Sequence, residues 1–413
     1  MITTINNKHN KLNVPNKREQ NQTCLDSAER EGLRPKGNVP NLRFPEFVGE
    51  WHSFLINEIC SEFKSGKNIK ADSISENGEY PVFGGNGLRG YTASYNHEGL
   101  YVLIGRQGAL CGNVHSVNGK TYITEHAIAA AGNEKSDTSF LHYLFIKMNL
   151  GQYSDQSAQP GLAVNNLLKL KVLLPPISEQ KKIAKLLSLL DERIATQNKI
   201  IDKLQSLIKG LNDFLYTQYG GEVLTSFAEL GTSYSGLSGK SAQDFGSGKP
   251  FITYLNVYSN NVIKENDFQY VAIKDDEKQN VVKYGDVLFT LSSETPEEVG
   301  VGSVYLGKEK VYLNSFCFGI HITNTEVAFP PYLSYYVSLT AFRKFIYPYA
   351  QGSTRFNLCK ADFEKASIKL PTLADQKRIY SILSHIDNKI ITERQMLDLY
   401  NSQKQYLLRQ MFI

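Results

Sequence analysis

The most regular feature of the chain is a stripe of apolar residues spaced alternately four and three positions apart, and it occurs twice. This spacing is the a/d pattern of a heptad repeat and predicts a coiled-coil helix rather than an ordinary surface helix. Roughly 38 helical residues give a rod of about 57 Å. The apolar positions are Ile183, Leu187, Leu190, Ile194, Ile201, Leu204, Ile208, Leu211 and Leu215 in residues 174–216, and Ile379, Leu383, Ile386, Ile390, Leu397, Tyr400, Leu407 and Met411 in residues 370–412.

The two stretches are copies of one another, since they align without a gap at an offset of 196 residues. An internal repeat of this kind indicates a duplicated half. The identical pairs include Leu174/Leu370, Pro175/Pro371, Gln180/Gln376, Ile183/Ile379, Leu187/Leu383 and Asp191/Asp387.

Polar residues interrupt both stripes at one common layer, where Gln197 stands in the first copy and Glu393 in the second. Two interpretations of this layer are open. The residues are either a polar pair that fixes the register of paired helices or exposed positions that tolerate polar side chains. Lys404 is a further interruption of the second stripe.

A lone helix cannot bury an apolar stripe of two positions in seven, whereas two such helices can bury theirs against each other. We therefore predict that the helices pair. The alternative, two unrelated amphipathic helices on separate cores, is disfavoured by the matching registers. Each helix start follows a proline, and Glu179 or Asp375 in the first turn complements the helix dipole. Thr372 and Asp375 also match a capping box.

Short β-like runs separated by glycine turns precede each long helix. In the second half they cover residues 249–263, 285–307 and 311–322, and helices are predicted at 139–150 and 330–346. The sequence thus predicts a mixed α/β protein with two globular domains and two long helices. The predicted segments are a flexible leader at 1–37, globular domains at 38–173 and 219–369, and helical regions at 174–218 and 370–413.

Composition narrows the class of protein. Among the 413 residues, 41% are hydrophobic and 21% charged, which is typical of an ordinary globular protein. We find no apolar run near 18 residues and no signal-peptide pattern, so no membrane association is expected. Five scattered cysteines without a CxxC pair favour reduced thiols and a cytoplasmic location. A net charge of +4 permits nucleic-acid binding without demanding it.

Several motifs resemble catalytic or cofactor sites but lack an essential part. Gly85–Gly90 fits G-x-G-x-x-G, yet no helical pattern follows it, so a glycine-rich hairpin is predicted instead. The segment 236–241 hints at a phosphate-binding loop, but Tyr234 replaces its first glycine. Phe329-Pro-Pro-Tyr332 resembles the corner of amino-methyltransferases, but Phe329 replaces the Asn or Asp that holds the target amine.

Isolated titratable residues do not complete an active site either. Glu62-x-Lys64 lacks the further carboxylates that a nuclease metal requires. The histidines form no metal motif, and we interpret His126 and His142 as residues of partly buried elements with satisfied ring nitrogens. No catalytic set, metal site or cofactor site is predicted, so the chain is not expected to be an enzyme.

The remaining chemistry suits DNA binding. Arg, Gln and Asn side chains can pair with base edges, whereas Lys and Ser suit phosphate oxygens. For each single residue the alternative is a solvated surface group. The candidates are Lys64, Lys67, Arg89, Arg106 and Gln107 in the first half, and Lys240, Tyr254, Asn256, Ser353, Thr354, Arg355 and Asn357 in the second, where Tyr254 and Asn256 are predicted to lie in a strand.

The arrangement resembles the specificity subunit of type I restriction–modification enzymes from residue 38 onward. Three features carry the resemblance: the entry NVPNLRFPEF, the paired LPPISEQKKIAKLLSLLD and LPTLADQKRIYSILSHID, and the GSTRFNL loop at 352–358. It implies two target-recognition domains, each reading one half of a split double-stranded DNA site, and an antiparallel coiled coil that spaces them.

The resemblance also implies partners. Two methyltransferase subunits that hold S-adenosylmethionine would dock on the helices, and restriction subunits that use ATP and Mg²⁺ would join the larger complex, leaving no cofactor in this chain. Two alternatives remain open at this point: a coiled-coil adaptor without DNA contact, and a stand-alone nuclease or methyltransferase.

Overall fold

The computed structural model describes residues 37–154 and 161–413, so the leader predicted at 1–37 lies outside the described residues except for Gly37. The chain forms two compact units. Unit 1 contains the described residues up to Ala195 together with Asp398–Ile413, and unit 2 contains Thr196–Leu397. The boundary between the units therefore falls inside both long helices.

Unit 1 is built on two four-stranded sheets. Their orders are β2-β9-β6-β7, which is antiparallel throughout, and β4-β3-β8-β5, in which β3 and β8 are parallel. A third, two-stranded sheet joins β1 to β10. The elements up to the first long helix are β1 (His52–Leu55), α1 (Ile56–Ile59), β2 (Cys60–Ser65), β3 (Tyr80–Gly84), β4 (Gly87–Thr92), β5 (His97–Glu98), β6 (Tyr101–Gly105), β7 (Val114–Val117), β8 (Lys120–Ile123), β9 (Ala127–Gly132), α2 (Thr138–Met148), α3 (Val164–Leu167), β10 (Lys171–Leu174) and α4 (Ile177–Tyr219).

Unit 2 repeats this plan with the sheets β12-β19-β15-β17, β14-β13-β18 and β11-β22, and adds a small sheet, β16-β21-β20. As in unit 1, one pair of the second sheet, β13 with β18, is parallel. The elements are β11 (Val223–Thr225), α5 (Phe227–Leu230), β12 (Gly231–Ser235), β13 (Phe245–Ile252), α6 (Tyr254–Ser259), β14 (Gln269–Val271), β15 (Val287–Thr290), β16 (Ser292–Ser293), β17 (Gly302–Val304), β18 (Tyr312–Leu313), β19 (Cys317–Ile322), α7 (Pro330–Tyr336), α8 (Thr340–Ile346), β20 (Ala350–Gln351), β21 (Phe356–Leu358), α9 (Lys360–Lys365), β22 (Ile368–Leu370) and α10 (Leu373–Gln410).

The mixed α/β architecture and the pairing of the long helices are confirmed. In unit 1, Lys404 Nζ of α10 lies 2.5 Å from Asp191 Oδ1 of α4. In unit 2, Gln197 of α4 contacts Glu393 of α10, and the Arg378 guanidinium lies 5.3 Å from the Tyr219 ring centroid. In both units, positions late in one helix meet positions early in the other, so the pairing is antiparallel.

The predicted seam positions lie on the inner faces of these helices. The buried ones are Ile183, Leu187, Leu190, Ile201 and Leu215 in α4, Ile379, Leu383 and Ile390 in α10, and Met411 just after α10. The half-buried ones are Ile194, Leu204, Ile208, Leu211, Ile386, Leu397, Tyr400 and Leu407. Lys404, which interrupts the second stripe, is accommodated because its ammonium pairs with Asp191 and lies 5.9 Å from the Tyr143 ring centroid.

The polar layer is a buried pair. Gln197 and Glu393 are both 6% exposed, and Gln197 Nε2 donates to the backbone oxygen of Glu393 at 3.1 Å and to its carboxylate. Hydrogen bonds from Lys389 and Gln197 lower the pKa of Glu393. Of the two interpretations of this layer, the geometry fits a register-fixing pair, because a shifted register would leave buried polar groups without partners.

A duplicated glutamine attaches each globular part to its long helix. In unit 1, Gln180 Nε2 donates to Pro175 O (2.8 Å) and Lys135 O (2.9 Å), while its Oε1 accepts from Asp137 N (2.9 Å). In unit 2, Gln376 Nε2 donates to Pro371 O (2.9 Å) and Val327 O (2.8 Å), and its Oε1 accepts from Phe329 N (2.8 Å). Both glutamines are fully buried. Each glutamine thus satisfies one buried carbonyl, at Pro175 or Pro371, and two partly buried backbone groups.

A second duplicated contact is made by an aspartate that follows each of these glutamines along the same long helix. The Tyr143 hydroxyl donates to Asp191 Oδ2 at 2.9 Å in unit 1, and the Tyr335 hydroxyl donates to Asp387 Oδ2 in unit 2. Burial raises the pKa of both tyrosines, and the nearby carboxylates add to this effect. The identities Gln180/Gln376 and Asp191/Asp387 therefore correspond to equivalent attachments.

The N-terminal entry segment binds the start of α4. Arg43 makes a bidentate pair with Glu179, with Nε–Oε1 and Nη2–Oε2 distances of 2.8 and 2.7 Å. Glu179 is fully buried, so its negative charge is compensated by this guanidinium as well as by the helix N-terminus. Just after the C-terminal end of α10, Phe412 stacks on Phe140 of α2, with ring centroids 5.1 Å apart.

Two predictions of secondary structure were wrong in detail. The helix predicted at 330–346 is divided into α7 and α8, because Leu339 is extended and Asp213 of α4 accepts hydrogen bonds from the Thr340 N–H (2.9 Å) and Oγ1 (2.7 Å). The strand predicted at 249–263 ends at Ile252, where Thr253 caps α6 through its hydroxyl. Tyr254 and Asn256 are consequently helical rather than extended.

Other local predictions were correct. The glycine-rich segment 85–90 contains the turn of the β3–β4 hairpin rather than a dinucleotide loop. Asp375 N–H donates to Thr372 Oγ1 at 3.2 Å, as the capping pattern requires, while the Thr372 hydroxyl donates to the Asp375 carboxylate at 2.7 Å. His142 departs from expectation: it is largely buried, but its Nδ1 has no hydrogen-bond partner in the described structure.

Gln376→Ala is expected to lower the free energy of unfolding of unit 2 by about 2 kcal/mol, because it leaves the buried Pro371 carbonyl and the partly buried Phe329 N–H and Val327 carbonyl unpaired. Gln180→Ala should weaken unit 1 to a similar degree. Hydrogen exchange followed by peptide would show faster exchange in the unit carrying the change. Gln395→Ala, at an exposed position of α10, is the matched control. Equal protection in all three variants would contradict the attachment role.

Burial lowers the pKa of His142 from 6.5 to about 4, and Lys404 adds to this effect. Between pH 6.5 and 4, His142 is protonated in the unfolded chain but remains neutral in the folded chain. The free energy of unfolding therefore decreases as the pH falls toward 4. His142→Leu should remove about 3 kcal/mol of this pH dependence. Hydrogen exchange of unit 1 between pH 6.5 and 4 measures it. The control His52→Leu, at an exposed histidine, should leave the dependence unchanged.

Candidate nucleic-acid interface

In unit 1, several loops contact the turn between β8 and β9, residues 124–126, and the two strand residues that flank it. Backbone hydrogen bonds join them: Gly66 N to Ala127 O (3.0 Å), Lys67 N to Ile123 O (3.0 Å), Thr124 N to Phe83 O (2.9 Å), Arg106 N to His126 O (2.9 Å) and Leu162 N to Arg106 O (2.9 Å). A Cβ at Gly66 would lie 2.2 Å from Ile123 O, so only glycine permits this approach. The loops are thus held together by their backbones, independently of their side chains.

Most of the first-half candidates lie on this loop cluster. Lys67, Arg89 and Gln107 are exposed and Arg106 is half-buried. Arg89 belongs to the β3–β4 hairpin, where its aliphatic stem packs beside Gly84. The loop that carries Arg106 and Gln107 is braced by the Cys111 thiol, which donates to Arg106 O at 3.3 Å. These cationic and amide side chains therefore belong to one hydrogen-bonded set of loops in unit 1.

Lys64 lies apart from them, within β2. Its ammonium is 3.2 Å from Glu62 Oε1, and Glu62 also accepts from His97 and Tyr101. Although burial opposes it, the bonds from His97 and Lys64 lower the pKa of Glu62. Glu62 thus belongs to a polar network with His97 and Tyr101, and the 68% exposed Lys64 side chain pairs with this network from the surface.

His126 was overlooked as a candidate. Its side chain is 47% exposed, its Nδ1 lies 3.3 Å from Gln107 Oε1, and its Nε2 lies 3.2 Å from Glu125 Oε1. The prediction that it lies on a partly buried element was therefore wrong, whereas both ring nitrogens have partners, as predicted. The signal in the sequence was the polar triplet Thr124-Glu125-His126, which interrupts an otherwise apolar, β-like run.

Unit 2 contains the same backbone framework. The corresponding bonds are Gly236 N to Cys317 O (3.2 Å), Leu237 N to Leu313 O (2.7 Å), Asn314 N to Ile252 O (3.0 Å), Leu291 N to Phe316 O (2.9 Å) and Leu358 N to Leu291 O (2.8 Å). A Cβ at Gly236 would lie 2.0 Å from Asn314 O, so this glycine matches Gly66. The framework makes Lys67 equivalent to Leu237, Arg106 to Leu291, and His126 to Phe316.

Several second-half candidates lie around this framework. Ser353, Thr354 and Arg355 are exposed in the turn between β20 and β21, and Asn357 is exposed on β21. Asn357 pairs with Ser292 of β16, whose carbonyl accepts a 2.7 Å hydrogen bond from the Tyr254 hydroxyl. Burial raises the pKa of Tyr254, and the nearby positive charge of Arg355 partly offsets this rise. Tyr254, Arg355 and Asn357 are therefore brought together.

Lys240 and Asn256 are used internally instead. The Lys240 side chain is 7% exposed, and its ammonium contacts Glu277 (2.5 Å) and Ala272 O (2.7 Å). Asn256 is 3% exposed, donates to Lys264 O (2.9 Å) and accepts from Lys264 N (3.2 Å). Neither polar group faces solvent, so we do not retain these two residues in the candidate interface.

Within residues 37–154 and 161–413, no group of three or more His, Cys, Asp or Glu side chains is placed to hold a metal ion. None of the helices in these same ranges has the length and apolar character needed to cross a membrane.

Comparisons with known proteins agree with this arrangement. The chain is 44% identical over 154 residues to the EcoprrI type I restriction enzyme specificity subunit of Escherichia coli, a match that spans 36% of this chain and 38% of that protein. It is 25% identical over 387 residues to the MjaVIII specificity subunit of Methanocaldococcus jannaschii, covering 87% of this chain and 84% of that protein.

A solved structure shares the fold. The S subunit of a type I restriction–modification system from M. genitalium superposes with a TM-score of 0.58 at 14% identity, over 91% of this chain and 99% of that one. A family model described as the type I restriction modification DNA specificity domain matches residues 49–206 and again 231–399. Because these two matches cover most of the sequence, the chain belongs to the type I restriction–modification DNA specificity family.

Proposed function

We propose that this chain is the sequence-reading subunit of a type I restriction–modification complex and that each unit reads one half of a bipartite double-stranded DNA site. The observation that carries the proposal is the shared backbone framework of the two loop clusters, which presents unlike side chains. A common framework docks on a common ligand, the duplex, while different exposed groups recognise different bases.

The chemistry of unit 1 suits the major groove. Arg89 and Arg106 can donate two hydrogen bonds to guanine O6 and N7, and Gln107 can pair with adenine N6 and N7. Lys67, at the edge of the same cluster, suits a phosphate oxygen. These side chains lie on loops whose backbones are fixed, so little backbone conformational entropy is lost when they bind.

Unit 2 would use a different set. Arg355 and Asn357 provide base-edge donors and acceptors, while Ser353 and Thr354 provide hydroxyl groups for phosphates or bases. The Tyr254 hydroxyl already donates to Ser292 O, so Tyr254 contributes mainly by supporting β16, the strand that pairs with the strand carrying Asn357.

The paired helices would set the distance between the half-sites and dock two methyltransferase subunits. In this proposal the chain is not itself catalytic. S-adenosylmethionine belongs to the methyltransferase subunits, and ATP and Mg²⁺ belong to restriction subunits that join the complex.

Arg355→Ala is expected to weaken DNA binding by about 1–3 kcal/mol and to relax base preference only in the half-site read by unit 2. Arg106→Ala should act on the other half-site alone. Both are measured with the assembled methyltransferase complex and duplexes in which one half-site at a time is randomised. Lys308→Ala, at an exposed cation in the β17–β18 loop of unit 2, is the control. Equal relaxation of both halves by either arginine variant would contradict the assignment.

Adding one heptad to each helix on the same side of the polar layer, after Thr196 and after Glu393, keeps Gln197 opposite Glu393, preserves the apolar seam and lengthens the pair by about 10 Å. That length corresponds to about three base pairs. The complex should then prefer a longer gap between unchanged half-sites, as read from the methylated sites of a gap-length library. An unaltered gap argues against the spacing role, and DNA binding absent even at low salt would favour an adaptor instead.

A further inference from the structure

Phe316 is an exposed aromatic residue in the turn between β18 and β19. It is 56% exposed, while its neighbours Cys317 and Phe318 are buried in β19. Its backbone is fixed on both sides, since its N–H donates to Asn314 Oδ1 at 2.9 Å and its carbonyl accepts from Leu291 N at 2.9 Å. The ring therefore projects from a rigid point of the framework instead of moving with a flexible loop.

The ring lies among the polar groups of the proposed interface. The Arg355 guanidinium carbon is 5.8 Å from the ring centroid, a distance typical of a cation–π contact. In the part of the chain that the structure describes, no carboxylate forms a salt bridge with Arg355, so its N–H groups are available to a ligand. Phe316 thus holds the arginine over its ring while more than half of its surface remains exposed.

We propose that Phe316 is a specificity-determining residue of unit 2 whose ring contacts the C5-methyl group of a thymine in the major groove. The inference rests on the proposed DNA-reading function and deepens it. A phenyl ring has no hydrogen-bonding group, and the thymine methyl is the apolar feature by which the major groove distinguishes bases. Insertion of the ring between base pairs would need both faces free, and Arg355 covers one of them.

The position of unit 1 that is equivalent to Phe316 carries a polar ring instead of an apolar one. There the backbone framework presents His126, whose ring nitrogens lie near Gln107 and Glu125. An imidazole in this place favours polar base edges over a methyl group. The two units should therefore differ in their response to thymine methyl groups, with the response confined to the half-site that unit 2 reads.

Replacing thymine by deoxyuridine removes only the methyl group and tests the contact directly. With the assembled methyltransferase complex and its bipartite site, each thymine of the unit 2 half-site is replaced in turn. At one position the wild-type complex should bind about fourfold more weakly, as expected for the loss of one buried methyl group. Phe316→Ala should bind thymine and deoxyuridine equally at that position, and Phe316→His should do the same.

Phe316→Leu keeps an apolar side chain and should retain most of the discrimination, which separates the contact from a general loss of folding. His126→Ala is the matched control and should leave the deoxyuridine effect intact. If Phe316→Ala weakens binding to every duplex equally while the deoxyuridine effect persists, Phe316 only positions Arg355 and the proposal is overturned. A half-site without a methyl-sensitive thymine also overturns it, whereas a wild-type complex that recognises no bipartite site overturns the proposed function as well.

Discussion

The burial of two narrow apolar stripes is the constraint on which the rest of the structure depends. Neither α4 nor α10 has a stripe wide enough to form a core of its own, so each uses the other helix and the globular residues beside it. In unit 1, Ile183 and Leu187 share a core with Leu408 and Met411. In unit 2, Leu215 shares a core with Ile379 and Leu383. The core of unit 1 therefore contains the start of α4 and the residues at the end of α10, and the core of unit 2 contains the end of α4 and the start of α10.

The positions that are identical in the two copies are explained by this arrangement. Gln180 and Gln376 make hydrogen bonds to backbone groups of the segment that precedes α2 in unit 1 and α7 in unit 2. Asp191 and Asp387 each accept a hydrogen bond from a tyrosine of the globular part. A buried amide with several partners cannot be replaced without stranding all of them. Such positions resist change in both copies, whereas exposed positions of the same helices are free to diverge.

The sequence predicted what depends on periodicity and missed what depends on local capping. The seams, the antiparallel pairing implied by the family resemblance and the hairpin around Gly85–Gly90 agree with the structure, because regular spacing reports which face is buried. The division of the helix at Leu339 depends on Asp213, a residue more than a hundred positions away, and no local pattern reveals it. The Thr253 hydroxyl that begins α6 lies among β-branched and aromatic residues, whose strand preference led to the wrong prediction.

The candidate site shows the same division between what a sequence reveals and what it does not. Exposed loop residues such as Arg106 and Arg355 were identified from residue type, but residue type alone did not separate them from Lys240 or Asn256. Those two are engaged internally by Glu277 and by the backbone of Lys264. The equivalence of His126 and Phe316 is invisible in the sequence, because the offset between them differs from that of the long helices.

The backbone framework also accounts for the divergence of the two interfaces. Its hydrogen bonds join main-chain atoms, and the close approach is made by Gly66 in one unit and Gly236 in the other. No side chain at the equivalent positions Arg106 and Leu291, or His126 and Phe316, is needed to hold the loops. Stability therefore places little restraint on those side chains, and they can change with the ligand while the scaffold remains constant. A reader with two unlike specificities can arise from one duplicated fold for this reason.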